Sequence, residues 1–278
     1  MDTVRPGARK PAATALVTAL ASVGAAAPAG SADIFFDEPP PGVIEEIILD
    51  IGLGPRVQPE FIGASTYGVV PNPIIELQYL RLPGLGEMVT EERTLIAYAL
   101  YPSIGFVGAR DAGNAPYLVG LDPIDFAIEL GPGGSFRYGN VRVFAEGRFG
   151  LTGHGGAVIE AGFDFIRTPG ERWEVSLGPR FSAATDAFMD TYFGVTPQEA
   201  ARPETGVAAF DPTGGFKDVG VEGRVIYDLT SRVKVHAEAR YSRFVGDAAN
   251  SPIIEAGASN QFEIAIGLTY RFGLDFSD

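Results

Sequence analysis

The sequence has no cysteine. Thiol nucleophiles, cysteine-ligated metals and disulfides are excluded, and an exported chain of this kind must fold without covalent staples. Histidine occurs only twice, as His154 and His236, so a histidine-rich metal centre is excluded too. Basic residues are outnumbered 35 to 21 by acidic ones, for a formal net charge of −14. A nucleic-acid partner needs a positive surface and is not expected. Past the first 32 residues there is no clean hydrophobic run long enough to span a bilayer as a helix. This leaves a membrane barrel open, because alternating strands dilute hydropathy.

Glycine and aromatic side chains are plentiful, at 36 residues and 11%, as strands joined by turns require. The clearest strand runs from Gln261 to Phe272. Phe262, Ile264, Ile266, Leu268, Tyr270 and Phe272 alternate with small or polar residues. A period of two over this length gives two opposite faces, and a tilted strand of about 11 residues crosses a bilayer. The expectation is an all-β protein, a transmembrane antiparallel up-and-down β-barrel of 10–12 strands, embedded in outer-membrane lipid.

The leader supports export. Arg5, Arg9 and Lys10 precede an apolar stretch from Ala12 to about Ala27, and Gly30, Ser31 and Ala32 follow. Residues 1–32 read as a signal peptide cleaved after Ala32 or Ala27. Residues 33–46, with Pro39 to Pro41, read as a periplasmic arm, because proline cannot donate to a ladder. The barrel is expected over 47–272 and a tail over 273–278, in the outer membrane of a Gram-negative bacterium.

Within the barrel, Ile47 to Leu53 reads as a first strand, Gln58 to Val70 as a loop, and Ile75 to Tyr79 as a second strand. A later strand starts at Ile124. Pro102 interrupts Thr94–Ala109: one bent strand there gives ten strands, a split gives twelve. Connections alternate between tight (168–172, 229–232) and long (183–216, 245–260), which is the pattern of periplasmic turns and extracellular loops. One face of the strands carries both charges in near balance: Arg142, Glu146, Arg148, Glu160, Arg172, Glu174, Arg224, Glu238, Arg240 and Arg271. These are expected to face the lumen and pair there, because an unpaired charge would be costly. A channel lining is the alternative role.

Several stretches in order resemble the MipA/OmpV family (MltA-interacting protein) of outer-membrane proteins. They include Pro59 to Gly63, Val70 to Ile74, Gly153-His154-Gly155-Gly156, Asp190 to Thr196, Lys217 to Gly220, and Tyr241 to Ile253 leading into Asn260-Gln261. The similarity runs from about residue 47 to 272. It departs at Asn250, where the family commonly has Asp, and at the residues after Phe272, where the family usually stops. Barrel-assembly machinery would then have to recognise an internal aromatic, Phe272 or Phe276. The resemblance implies a scaffold holding a lytic transglycosylase and a murein synthase; other members are described as adhesins. It brings no catalytic motif and no cofactor.

The remaining motifs have modest readings. His154 suits a turn better than a metal site or general base. Ser176 and His236 form a hydrolase pair only if an orienting group joins them. Asp247 and Asn250 suit turn chemistry better than a calcium loop. Tyr192 and Phe193 are expected to fold into the barrel mouth. No enzyme activity is expected; a small-solute channel and a surface adhesin remain alternatives to the scaffold.

Overall fold

The computed structural model describes residues 47–82, 86–89 and 96–274. The expected export signal (1–32), the proline-rich arm (33–46) and residues 275–278 lie outside the described residues. Eleven strands are present: β1 Ile47–Pro59, β2 Tyr67–Leu82, β3 Gly86–Val89, β4 Ile96–Val107, β5 Ala127–Tyr138, β6 Val141–Gly150, β7 Ala157–Arg167, β8 Trp173–Ala184, β9 Gly215–Asp228, β10 Val233–Phe244 and β11 Asn260–Leu274. They form one sheet in the order β3-β2-β1-β11-β10-β9-β8-β7-β6-β5-β4.

Every pairing is antiparallel, and β1 pairs with β11, so the first and last strands are neighbours. Following the directions around the sheet, β3 and β4 both run the same way as β1. β3 ladders with β2 and β4 with β5. The two therefore occupy one strand position, and the molecule is a nearly closed barrel of ten positions. This decides between the ten and twelve strands that the sequence left open. An even count also brings Ile47 and Leu274 to the same end, where they pair. The tight turns at 139–140, 168–172 and 229–232 lie at that end; the connections at 60–66, 108–126, 151–156, 185–214 and 245–259 lie at the other.

The barrel is apolar outside and polar inside. Leu53, Ile75, Leu130, Leu177 and Ile266 are among the large side chains exposed along its outer wall. Aromatic residues flank this belt. Tyr138, Trp173, Tyr270 and Phe272 are exposed toward the turn end; Tyr67, Phe149, Phe216 and Phe262 are exposed toward the loop end. Two girdles around an aliphatic belt mark a bilayer-spanning barrel. Among the described residues no helix is long and apolar enough to cross a membrane.

Several strand limits differ from the sequence expectation. β1 continues to Pro59, β2 starts at Tyr67 and β11 ends at Leu274, whereas β5 starts only at Ala127. The prolines explain why β1 and β2 were read short. Pro55 faces Pro71, and Pro102 faces Pro132. Neither pair has an N–H, so each is a position where the backbone donors point away from one another. The missing donor then falls on the far neighbour. The β1–β11 ladder skips Gly54 and Pro55, and the β5–β6 ladder skips Gly131 and Pro132. A proline inside these strands costs one rung, not the strand.

The outer wall makes a direct prediction. Ile266, at mid-height on β11, is 55% exposed. Ile266→Arg should destabilise the folded barrel in bilayers by about 2–4 kcal/mol, and Phe216→Arg at the rim by no more than about 1 kcal/mol. Denaturant titration in vesicles measures both.

Candidate functional site

The lumen holds one connected set of ion pairs. Arg240 grips Glu160 with both terminal nitrogens, at 2.7 and 3.1 Å. Arg180 bridges Asp164 at 2.7 Å and Glu222 at 2.9 Å, and Arg142 adds 2.7 Å and 3.0 Å bonds to Asp164. Arg148 reaches Glu129 (3.2 Å), Glu146 (2.8 Å) and the Ser103 hydroxyl (3.1 Å). Arg224 lies 3.3 Å from Glu238 and 3.6 Å from Glu222. Arg56 joins Glu238 at 3.0 Å and Glu263 at 2.7 Å. Because each cation touches at least one carboxylate and most carboxylates touch two cations, the wall neutralises itself across the barrel. Toward the turn end, Asp50 takes Arg271 at 2.9 Å and Lys234 at 3.3 Å, and Arg137 pairs with Glu174 at 3.4 Å.

Of the charges picked from the sequence, Arg142, Glu146, Arg148, Glu160, Glu174, Arg224, Glu238, Arg240 and Arg271 all join these pairs. Arg172 does not: it is exposed in the turn between β7 and β8, one residue before the strand that would have turned it inward. Sequence reasoning left Asp50, Arg56, Glu76, Arg137, Arg180 and Glu263 off the set. Asp50 had a signal, since it alternates with Leu49 and Ile51; Arg56 lay beyond the expected end of β1.

The loop end is closed over by its own core. Helix α1 (Asp186–Phe193) buries Phe188, Met189, Tyr192 and Phe193 against Val158, Phe244, Ala248 and Ile254. A second cluster joins Phe61, Leu118, Leu121, Val195 and Ile253. Short helices α2 (Pro197–Ala200), α3 (Gly246–Asn250) and α4 (Pro252–Ala256) complete it. Their starts are written in the sequence. Thr196 and Glu199 form a reciprocal capping box with Pro197 behind the cap, and the Ser251 hydroxyl accepts from the Ile253 N–H ahead of Pro252. The carbonyls at the end of α1 are held by the Arg110 guanidinium, which donates to Tyr192 O at 2.7 Å, and by the Ser251 hydroxyl, which donates to Phe193 O at 2.7 Å. Burial pulls Arg110 down to about 10, with Glu199 opposing it, so the cation persists at neutral pH. Burial pushes the Glu199 carboxyl up, but hydrogen bonds from the Asp122 and Thr196 N–H groups and the Thr196 hydroxyl outweigh it and hold the group below its ordinary value.

The loop residues singled out earlier fall into this cap. Tyr192 and Phe193 are buried within it. His154 lies beneath α1, edge-on to Phe188 and Tyr192. Its Nδ1 accepts from the Gly156 N–H at 3.1 Å, so Nε2 carries the proton and donates to Glu129 at 3.1 Å. The glycines around it have separate reasons. Gly153 sits at φ +75°, and any side chain at Gly156 would run into the backbone of Phe188. His236 instead bonds the Thr269 hydroxyl at 2.8 Å, so the two histidines share no partner, and no hydrogen bond joins His236 to Ser176. Asp247 accepts from the Thr213 N–H and hydroxyl at 2.9 and 2.8 Å, and these bonds hold its carboxyl pKa below the ordinary value. Asn250 is exposed at the end of α3. Among the described residues no group of three or more His, Asp or Glu is placed to hold a metal ion.

Against known families, the model described as MltA-interacting protein MipA matches residues 51–272. The chain belongs to the MipA family. With its belt and girdles, this makes it an outer-membrane β-barrel protein. No curated protein matches it. Similar solved structures include Neisserial surface protein A (9% identity, 82% of this chain and 97% of that one, TM-score 0.30). OprG of Pseudomonas aeruginosa is 11% identical over 82% and 97%, with TM-score 0.27. Ail of Yersinia pestis is 12% identical over 82% and 99%, with TM-score 0.24. At these scores they add nothing to the architecture described above.

The lumen and the cap give separate predictions. Arg240→Met strands Glu160 without its bidentate partner and should cost about 3–5 kcal/mol, and adding Glu160→Gln should restore much of it; denaturant titration of the two variants checks this. Arg110→Met removes a charged hydrogen bond from the end of α1, worth about 1.5–3 kcal/mol. It should speed tryptic cleavage at Arg202 while leaving the strands resistant.

Proposed function

We propose that the protein is an outer-membrane anchor that holds a murein-acting enzyme, a lytic transglycosylase in the first instance, on the periplasmic side of the membrane. The observation that carries this reading is the family match over 51–272, whose description is an MltA-interacting protein. The geometry supports it in a second way. A lumen whose charges are matched within the wall, under a cap with its own hydrophobic core, suits a rigid platform better than a conduit. On this reading the turn end faces the periplasm, together with the proline-rich arm at 33–46, and a murein synthase is brought close through the same complex. The protein itself performs no chemistry.

Affinity capture with a purified lytic transglycosylase tests the proposal. The detergent-solubilised barrel should retain the enzyme above an unrelated barrel control, and removing residues 33–46 should reduce retention. Equal recovery on the control barrel would overturn it.

A further inference from the structure

The arginines of this barrel fall into two groups. Among the described side chains, every arginine on the inward face has a carboxylate at 3.4 Å or less. Arg167 and Arg172, at the turn end of β7 and β8, form no salt bridge with any described residue. Glu171 and Asp228 share that rim but pair with neither of them. Arg167 has the parity of Phe163 and Phe165, which are exposed on the outer wall. Its guanidinium lies 4.5 Å over the Phe165 ring. Phe165 is two residues nearer the middle of the belt, so the cation is folded back onto the membrane side of the rim. A cation held at the height of the aromatic girdle sits among headgroups, and the counter-ion available there is a lipid phosphate.

The residues beside these cations have the amphipathic rings of an interface. Trp173 follows Arg172 and pairs across the ladder with Tyr227, their rings 4.5 Å apart. Arg167 pairs with Val175, two residues from Trp173, so Arg167 and Trp173 are diagonal neighbours on the outer face. The Arg172 carbonyl accepts from the Asp228 N–H at 2.8 Å, which ties the turn to β9. On the next turn Arg232 adds a third cation, its Nη1 3.4 Å from the Tyr270 hydroxyl. The turn between β5 and β6, Gly139 and Asn140, carries no charge. Among the described residues, the cations at the outer rim of the turn end are therefore gathered on the arc from β7 to β10.

We propose that the β7–β8 hairpin carries a binding site for the anionic headgroup of a phospholipid in the leaflet at the turn end. Arg167 and Arg172 hold the phosphate, and Trp173 and Tyr227 lie against the upper part of the acyl chains. An anionic headgroup such as phosphatidylglycerol is preferred over a zwitterionic one, whose ammonium group would meet the same cations. The site needs no partner enzyme, so it and the anchor reading above can fail separately.

Trp173 is the only tryptophan of the chain and reports on the lipid beside it. The full-length protein is folded into vesicles of equal phosphatidylglycerol and phosphatidylcholine, with bromines in the upper acyl chains of one lipid or the other. Quenching of Trp173 in the two preparations should show a several-fold local enrichment of phosphatidylglycerol. The variant carrying Arg167→Gln and Arg172→Gln should lose the enrichment. Equal quenching in the wild-type protein would overturn the proposal, as would an enrichment that survives in the double variant. If the double variant does not fold, Arg167→Gln alone should lower the enrichment, and an unchanged value would count equally against the site. Trp173→Phe combined with Ile75→Trp moves the reporter to the far wall, where Ile75 pairs with Ile51 and Ile51 with Tyr270 at girdle height. No enrichment is expected there, and an equal one would mean diffuse attraction and no site. Excess inorganic phosphate, matched in ionic strength against chloride, should leave the enrichment at Trp173 in place; its selective loss would assign the arginines to a free anion and overturn the lipid site.

Discussion

A backbone in hydrocarbon has no water to fall back on, and the rest of this structure follows from that. Ten strand positions wrap so that β1 meets β11, and each strand finds hydrogen-bond partners in its neighbours. Wrapping turns the usual protein inside out. The apolar residues that would form a core face lipid, and the charges that would face water are enclosed. Among the described residues, the hydrophobic clusters of the ordinary kind lie in the cap, where the chain leaves the bilayer.

Enclosed charges must satisfy one another. The wall does this with shared partners: Glu222 takes Arg180 at 2.9 Å and lies 3.6 Å from Arg224, and Asp164 takes Arg142 and Arg180. A shared lattice is hard to alter one residue at a time, because removing one cation strands carboxylates that other cations only partly balance. His154 ties the cap into the same lattice through Glu129, whose other oxygen meets Arg148. Cap and lumen are thus one mechanical unit, consistent with a rigid platform.

Much of this was legible in the sequence, for a physical reason: a barrel strand writes its two faces in alternate residues. From Val141 onward the alternation is strong, and the inward charges from Arg142 to Arg271 were legible with the exception of such residues as Arg180 and Glu263. The N-terminal third was harder. Pro55, Pro71, Pro73, Pro102 and Pro132 look like breaks, yet each sits where its nitrogen leaves the near ladder untouched. Which edge a proline faces is a property of register, and register depends on strands distant in sequence. Arg172 was assigned to the lumen by parity, but parity has no meaning one residue outside a strand. The cap was foreseen only at Tyr192 and Phe193; the contact of His154 with Glu129 spans 25 residues and leaves no local signature.

On the proposed reading the barrel is a capped, self-neutralised platform and not a conduit. Planar-bilayer recording of the purified, folded protein tests it most directly. The account predicts a silent barrel at neutral pH, with no conductance above the bare membrane. Reproducible stepwise opening, abolished when the protein is unfolded, would contradict it and return the lumen charges to the role of a channel lining.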